Sequence, residues 1–295
     1  MPGHGTPRSR RAGEPSRPFG PALGSEPSAM DVKDRVVVVT GGASGIGRAL
    51  CRTFAAHGAL GVAVADIDRT GADAVAEELT ATGHAALAVT VDVANEGDVV
   101  SLVKETERTF GPVDLFCANA GIIVEGGVEV PDSAWQRMWA VNVLSHIYAA
   151  RSVLPGMIER GEGYLLHTAS AAGLLTQLGS APYSVTKHAV VALAEWLSIT
   201  HAGDGIKVSC LCPQGVWTGM TGAPDDEFAH LVASTAGRNG MLEPEAVASA
   251  VVEALSTEQF LVLPHPDVAT FEQRRAGDRE RWLRGMRRIQ TEISG

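Results

Sequence analysis

The feature that most restricts the fold of this chain is an alternation of short β-branched apolar runs with longer amphipathic segments. The apolar runs read RVVVVT, GVAVAD, AALAVTVD, VDLFCA, GYLLHTAS, IKVSCLC and FLVLP. Between them, apolar residues recur at intervals of three and four, as at Ile46, Leu50 and Phe54, which indicates helices. Strands that are apolar on both faces need cover on both sides. The pattern therefore predicts an α/β fold with a single doubly wound, Rossmann-type domain, whose seven-stranded, mostly parallel sheet has helices on both faces.

Several segments lie outside this alternation. Residues 1–29 hold six Pro and five Gly without apolar periodicity, so we expect a disordered, dispensable tail ahead of a folded domain over 30–266. Residues 213–241 are long and rich in Gly and follow a strand, which is typical of a lid. Residues 267–295 hold seven arginines and are predicted to form a helical extension that docks on the body or on another subunit. Phosphate binding is the alternative for this extension.

Composition excludes several function classes. The net charge of −10 disfavours binding to nucleic acid or to an anionic membrane, and no apolar run is long enough to span a bilayer. The nine histidines show no metal-ligand spacing, so no metal is expected. The four cysteines favour buried structural thiols over zinc ligands and fit a cytoplasmic location. They are Cys51, Cys117, Cys210 and Cys212.

The first apolar run leads into TGGASGIG, residues 40–47, where a helix is predicted to begin. Glycine allows a tight turn and a close approach of the backbone to a pyrophosphate, and the free N–H groups of a helix N-terminus attract phosphate. A plain turn is the alternative. We predict a dinucleotide site formed by Gly41, Ser44, Gly45, Ile46 and Gly47.

Polar residues at other strand ends are expected beside the same crevice. Asp66 ends the second run, where a carboxylate accepts hydrogen bonds from ribose hydroxyls and repels a 2′-phosphate, so NAD is predicted over NADP. Ser44 and Ile67 offer no cation to such a phosphate. Ordinary strand-end capping is the alternative for Asp66. The other strand-end candidates, each of which could be only a turn, are Asp92, Val93, Asn119, Ala120 and Gly121.

Tyr183 and Lys187 stand four residues apart in SAPYSVTKHAV. Pro182 suits the first turn of a helix, and the apolar spacing that follows predicts one, so the two side chains share a helix face. A surface pair is the alternative.

With these motifs in this order, the chain resembles the short-chain dehydrogenase/reductase family over about residues 32–264. The matching elements are the glycine turn, Asn119-Ala120-Gly121, Asn142, Ser170 and the Tyr183/Lys187 pair. The resemblance implies an NAD-dependent oxidoreductase that interconverts a secondary alcohol and a ketone by hydride transfer. It also implies cofactor contacts from Tyr183, Lys187, Pro213, Val216 and Thr218.

The resemblance assigns roles to four catalytic residues. Tyr183 is expected to be the general acid/base, with its pKa lowered by Lys187 and by the positive charge of oxidised nicotinamide. Lys187 is also expected to hold the nicotinamide ribose, and Ser170 to hydrogen-bond the substrate oxygen. Asn142, within a helix predicted over WQRMWAVNVLSHIYAARSVL, is expected to serve a water-mediated proton path; a buried Asn bonded to backbone is the alternative.

The substrate is predicted to be a secondary alcohol or ketone of hydrophobic character, because the expected wall residues are mostly apolar. Its contacts are expected to be Ser170, Gln177, Tyr183 and Trp217, with Leu174, Leu175, Ile122, Ile123 and Met220 as further walls that could instead pack the core. Gln214 stands where the family usually has glycine, so the backbone beside the nicotinamide is expected to differ locally.

Two alternative functions and an oligomeric state are also compatible with these residues. An NADP-linked carbonyl reductase and a non-catalytic dinucleotide sensor or scaffold are the alternatives. By analogy with the family, a homodimer or homotetramer is expected through the helices near 132–158 and 183–202.

Overall fold

The computed structural model describes residues 30–221 and 240–294. They contain one sheet of seven strands in the order β3-β2-β1-β4-β5-β6-β7. All strand pairings are parallel, so the prediction of a mostly parallel sheet understated its regularity. The strands are β1 Val36–Thr40, β2 Gly61–Asp66, β3 Ala86–Thr90, β4 Leu115–Ala118, β5 Gly163–Thr168, β6 Ile206–Leu211 and β7 Leu261–Val262. The predicted α/β fold class is confirmed.

Helices cover both faces of this sheet. Val38 packs into one apolar cluster, whereas its neighbours Val37 and Val39 pack into the other, because successive strand side chains point to opposite faces. This two-sided burial explains why the strands are apolar throughout rather than alternating. The helices are α1 Gly45–Ala56, α2 Arg69–Ala81, α3 Glu96–Phe110, α4 Asp132–Trp139, α5 Ser145–Arg160, α6 Ala181–His201, α7 Pro244–Ser256, α8 Asp267–Gly277 and α9 Arg279–Ser294.

One helical prediction needs correction, and a second gains detail. The segment predicted as one helix around Asn142 is α4 followed by a π-helical turn, Ala140–Leu144, and then α5. The C-terminal extension is two helices, because the backbone at Asp278 turns extended (φ −148°, ψ 87°) and separates α8 from α9. The predicted tail, 1–29, and most of the predicted lid lie outside the described residues.

The strand order places the site. β1 and β4 are neighbours, with β2 and β3 on one side and β5 to β7 on the other, so the chain reverses its direction of winding between β1 and β4. Ligands of open α/β sheets bind in the crevice at such a point, beyond the carboxyl ends of the strands. The glycine turn follows β1 and Asn119 follows β4, so both predicted motifs border this crevice. No helix in the described ranges is long and apolar enough to cross a membrane.

Candidate active site

A cleft of about 620 Å³ opens at the carboxyl edge of the sheet. It brings together predicted residues from six separate parts of the sequence. Those that border it are Gly41, Ser44, Gly45, Ile46, Gly47, Asp66, Asp92, Val93, Asn119, Ala120, Gly121, Ser170, Gln177, Tyr183, Lys187, Pro213, Val216 and Thr218. Of the predicted site residues, Asn142 and Trp217 do not border it.

The glycine turn forms one end of the cleft. Gly41 and Gly45 adopt positive φ angles of 68° and 50°, which side chains other than glycine rarely adopt. A methyl group added at Gly47 would collide with the carbonyl oxygen of Gly41, so the turn can close only around glycine there. The result is a space beside the start of α1 in which backbone, rather than side chains, faces a ligand.

Asn119 fixes the turn to the neighbouring strands. Its side-chain amide donates to the carbonyl of Thr40 at 3.0 Å, and its side-chain oxygen accepts from the Thr168 hydroxyl at 3.1 Å. The backbone N–H groups of Asn119 and Ala120 both donate to the Thr40 hydroxyl. Asn119 therefore ties the ends of β1, β4 and β5 together at the floor of the cleft.

Two carboxylates stand at the end of the cleft next to β2 and β3. Asp66 accepts from the backbone N–H of Ala43 at 3.0 Å and from that of Asp68 at 3.0 Å. It thus caps the strand end and also borders the cleft, so the two interpretations given for it are compatible. Asp92 is exposed and accepts from the N–H of Ala94 at 3.0 Å.

Tyr183, Lys187 and Ser170 meet at the other end of the cleft. The Tyr183 hydroxyl shares a hydrogen bond with the Ser170 side chain. The Lys187 ammonium nitrogen lies 5.6 Å from the centre of the Tyr183 ring and donates to the carbonyl of Thr168 at 2.9 Å. The Ser170 hydroxyl also accepts from the N–H of Ala172 at 3.1 Å, which holds the serine at the start of a short 3-10 turn.

Without a bound cofactor, the environment of Tyr183 makes its hydroxyl less acidic than that of a free tyrosine. Burial raises the pKa of Tyr183 to about 12; the hydrogen bond with Ser170 acts against this shift and Cys212 adds to it. Burial also lowers the pKa of Lys187 to about 8, with Cys210 and Cys212 acting against that shift. In the chain alone, desolvation therefore opposes charge on both side chains. The expected lowering of the tyrosine pKa includes the charge of oxidised nicotinamide and stays a prediction.

Asn142 lies beneath the cleft, fully buried, in the π-helical turn. Its side-chain oxygen accepts from the N–H of Ile122 at 2.8 Å, and its amide donates to the Ile122 carbonyl at 2.8 Å and to the Thr186 hydroxyl at 3.3 Å. The backbone-bonded alternative thus describes these contacts. The same side-chain oxygen and the Lys187 ammonium border the open side of Gly121, so both face one small space.

Some of the predicted substrate wall lies elsewhere. Trp217 is 46% exposed and Leu174 is buried in the core, so neither borders the cleft. Leu175 borders a second cavity instead. The predictions for Ile122, Ile123 and Met220 agree with the lining of the cleft. Pattern reasoning failed here because a loop's local sequence does not indicate which side faces a cavity.

The described first part of the predicted lid is bonded to Leu242, the residue directly after the lid. The N–H of Trp217 donates to the carbonyl of Leu242 at 2.9 Å, and the N–H of Leu242 donates to that of Gly215 at 3.0 Å. The backbone N–H of Gln214, which stands where the family usually has glycine, donates to the Nδ1 atom of buried His265 at 3.2 Å. The loop after β7 therefore holds the backbone at Gln214. Sequence reasoning missed His265, because the contact joins residues 51 positions apart.

Comparison with known proteins agrees with this geometry. The family model described as short chain dehydrogenase matches residues 35–227, about two thirds of the chain. The chain belongs to the short chain dehydrogenase family. The resemblance inferred from the glycine turn and the Tyr183/Lys187 pair is thereby confirmed.

Individual members of the family are similar over most of their length. A 1-deoxy-11-beta-hydroxypentalenate dehydrogenase of Streptomyces exfoliatus is 37% identical over 243 residues, covering 81% of this chain and 86% of the relative. A cis-4-hydroxycyclohexanecarboxylate dehydrogenase of Sinomonas cyclohexanicum is 35% identical, covering 74% and 88%. The crystal structure of a short chain dehydrogenase/reductase from Burkholderia phymatum in complex with NAD superposes with a TM-score of 0.78 at 30% identity, covering 85% of this chain and 96% of that one. This chain is accordingly an oxidoreductase of a family that uses a nicotinamide dinucleotide.

Proposed function

We propose that the protein interconverts a secondary alcohol and a ketone with NAD, and that Tyr183 is the general acid/base. The observation that carries the proposal is the placement of the Tyr183 hydroxyl, hydrogen-bonded to Ser170, in the same cleft as the glycine turn. Two of the relatives are named as dehydrogenases of hydroxylated compounds, which supports an alcohol as the substrate.

The residues present fit a dinucleotide. The turn at Gly41, Gly45 and Gly47 leaves a backbone-lined space at the start of α1, where a pyrophosphate is favoured. Asp66 at the edge of this space favours ribose hydroxyls over a phosphate. The nearby Arg69 pairs with Asp73 on α2 at 3.5 Å. NAD is therefore proposed over NADP.

The chemistry divides between the cofactor and the chain. A bound nicotinamide ring supplies the acceptor for the hydride that leaves the carbinol carbon. As the C–H bond breaks and the C=O bond forms, the hydroxyl proton passes to the Tyr183 oxygen. Ser170 donates a hydrogen bond to the reacting oxygen, and Asn142 holds the loop at Ile122 beside it. In the reverse direction Tyr183 returns the proton to the carbonyl oxygen.

The pKa of Tyr183 determines how strongly the site must stabilise the phenolate for alcohol oxidation. Lowering this pKa from about 12 to near 7 needs roughly 7 kcal/mol of preferential stabilisation of the phenolate. The Lys187 ammonium, whose nitrogen lies 5.6 Å from the ring centre, favours the phenolate. The remainder is assigned to the positive charge of oxidised nicotinamide, so proton abstraction is coupled to cofactor binding.

Replacement of Tyr183 tests the proposal. We expect Tyr183→Phe to bind NAD with unchanged affinity but to lose turnover by about three or four orders of magnitude, since the proton has no acceptor. The matched control is Tyr148→Phe, because Tyr148 is partly buried on α5 and does not border the cleft. NADH formation is followed by absorbance across a panel of secondary alcohols, and cofactor binding by calorimetry. Wild-type turnover in Tyr183→Phe would remove the tyrosine from the mechanism.

We also propose a homo-oligomer. Large apolar side chains are exposed on α4, α5 and α6, where analogy with the family predicts subunit contacts. They are Trp139, Ile158, Val185, Trp196 and Ile199. Light scattering on the purified chain measures the assembly, and Ile199→Glu on the most exposed of these positions is expected to weaken it.

A further inference from the structure

A second cavity of about 850 Å³ adjoins the cleft, between the loop after β5 and the C-terminal helices α8 and α9. Ser170, Gln177 and Gln214 border both spaces, so the two meet at the proposed catalytic serine. An alcohol whose hydroxyl lies between Ser170 and Tyr183 therefore has this second cavity available for the rest of its atoms. The volume lies within the range that encloses a drug-sized ligand.

The floor of the second cavity is apolar. Phe271 and Trp282, from α8 and α9, pack against the core with ring centres 6.4 Å apart. Met286 and Ile289 follow Trp282 at the spacing of one helix face, and Leu175 lies across from them. These side chains suit a bulky hydrocarbon body.

Three arginines border the same cavity. Arg274, Arg281 and Arg288 recur every seven residues, about two helical turns, so Arg281 and Arg288 lie on one face of α9. Among the described residues that border the cavity, Asp278 is the one carboxylate, and it already accepts from the backbone N–H of Arg281 at 2.9 Å. The wall thus presents more positive than negative charge.

An exposed, solvated helix is the simplest alternative explanation for these arginines. Some described arginines are paired with carboxylates, as Arg35 is with Glu162 and Arg52 is with Glu78, whereas others, such as Arg284, are not. Among residues 30–221 and 240–294, no ion pair within 4.0 Å uses Arg274, Arg281 or Arg288. The whole chain has a net charge of −10, so the positive charge of this wall is opposite in sign to that of the protein.

We infer that the second cavity binds the far end of the substrate, and that the substrate is a bulky apolar alcohol carrying an anionic group held by Arg274, Arg281 and Arg288. Guanidinium groups bind carboxylate, sulfonate and phosphate oxygens in pairs. The position of the hydroxyl rests on the proposed function, whereas binding of the anion needs no turnover. The C-terminal extension would then be part of the substrate site rather than only a docked helix.

A pair of fluorescent probes tests the anion site. Anilinonaphthalene sulfonate and N-phenylnaphthylamine share one ring system, and only the first carries an anion. We expect the native protein to bind the sulfonate at least about tenfold more tightly at low salt, because charge-assisted hydrogen bonds are lost with the neutral probe. Arg281→Gln should remove most of this difference without changing the affinity for the neutral probe. Added salt should reduce the difference in the wild type.

Arg284→Gln is the matched control, since Arg284 lies on the same helix and does not border the cavity. Equal affinity for the two probes in the wild type, or equal loss in Arg281→Gln and Arg284→Gln, would overturn the inference. The titrations are repeated on Tyr183→Phe, which should discriminate between the probes as the wild type does. Loss of the proposed chemistry is thereby distinguished from loss of the anion site.

Discussion

Two buried histidines beneath the site should make the fold sensitive to mild acid. His146 on α5 and His167 on β5 are fully buried, and their Nδ1 atoms lie 2.9 Å apart in a hydrogen bond. Burial, His167 and Lys187 all lower the pKa of His146, and burial lowers that of His167 to about 4. Neither Nε2 atom has a hydrogen-bond partner among residues 30–221 and 240–294, so a proton added to the pair would be poorly solvated.

The sign and size of the effect follow from linkage. The unfolded chain binds protons at histidine near pH 6.5 and the folded chain does not, so stability is lost as the pH falls from about 6.5 towards 4. Between pH 7.5 and 5.5, His167 alone accounts for a loss of roughly 1.3 kcal/mol in the free energy of unfolding. His146 adds a loss of the same sign.

Urea unfolding followed by circular dichroism at several pH values between about 7.5 and 5.5 measures this loss. The double variant His146→Leu/His167→Leu removes both partners together and should flatten the pH dependence. Some slope should remain, because burial also lowers the pKa of His265. The exposed His57, changed to Gln, is the control and should keep the wild-type slope. An unchanged slope in the double variant would refute the reasoning.

Three further predictions concern the cleft and the core. Gly47→Ala should weaken NAD binding by about 100-fold or more in calorimetry, because the added methyl group collides with Gly41, whereas Gly203→Ala, with open space around it, should not. Asp66→Asn should narrow the preference for NAD over NADP in parallel titrations, since the repulsive charge is removed; an unchanged preference would contradict the role given to Asp66. The four cysteines are free and buried, and burial raises the pKa of Cys51 and Cys117, so a thiol reagent should modify none of the four in the folded protein and all of them in urea.

The parts of the site that could be predicted from the sequence depend on short-range patterns. Gly41, Gly45 and Gly47 identify their own turn, because the positive φ angles and close contacts there require glycine. Tyr183 and Lys187 are placed on one helix face by their spacing alone. The seven apolar runs predicted the seven strands for a similar reason: two-sided burial requires continuous apolar sequence.

Other features were decided only when distant segments packed together. The π-helical turn at Asn142 coincides with hydrogen bonds to Ile122, 20 residues away, and no local periodicity indicates such a turn. The burial that raises the pKa of Tyr183 in the chain alone comes from the whole fold, whereas the pairing with Lys187 is local. The arginine-lined cavity also depends on distant packing. Residues of α9 border it together with Ser170, which lies more than 100 residues earlier in the chain. The sequence therefore determined which residues we propose for the chemistry, and the tertiary structure determined their electrostatic environment and the cavity beside them.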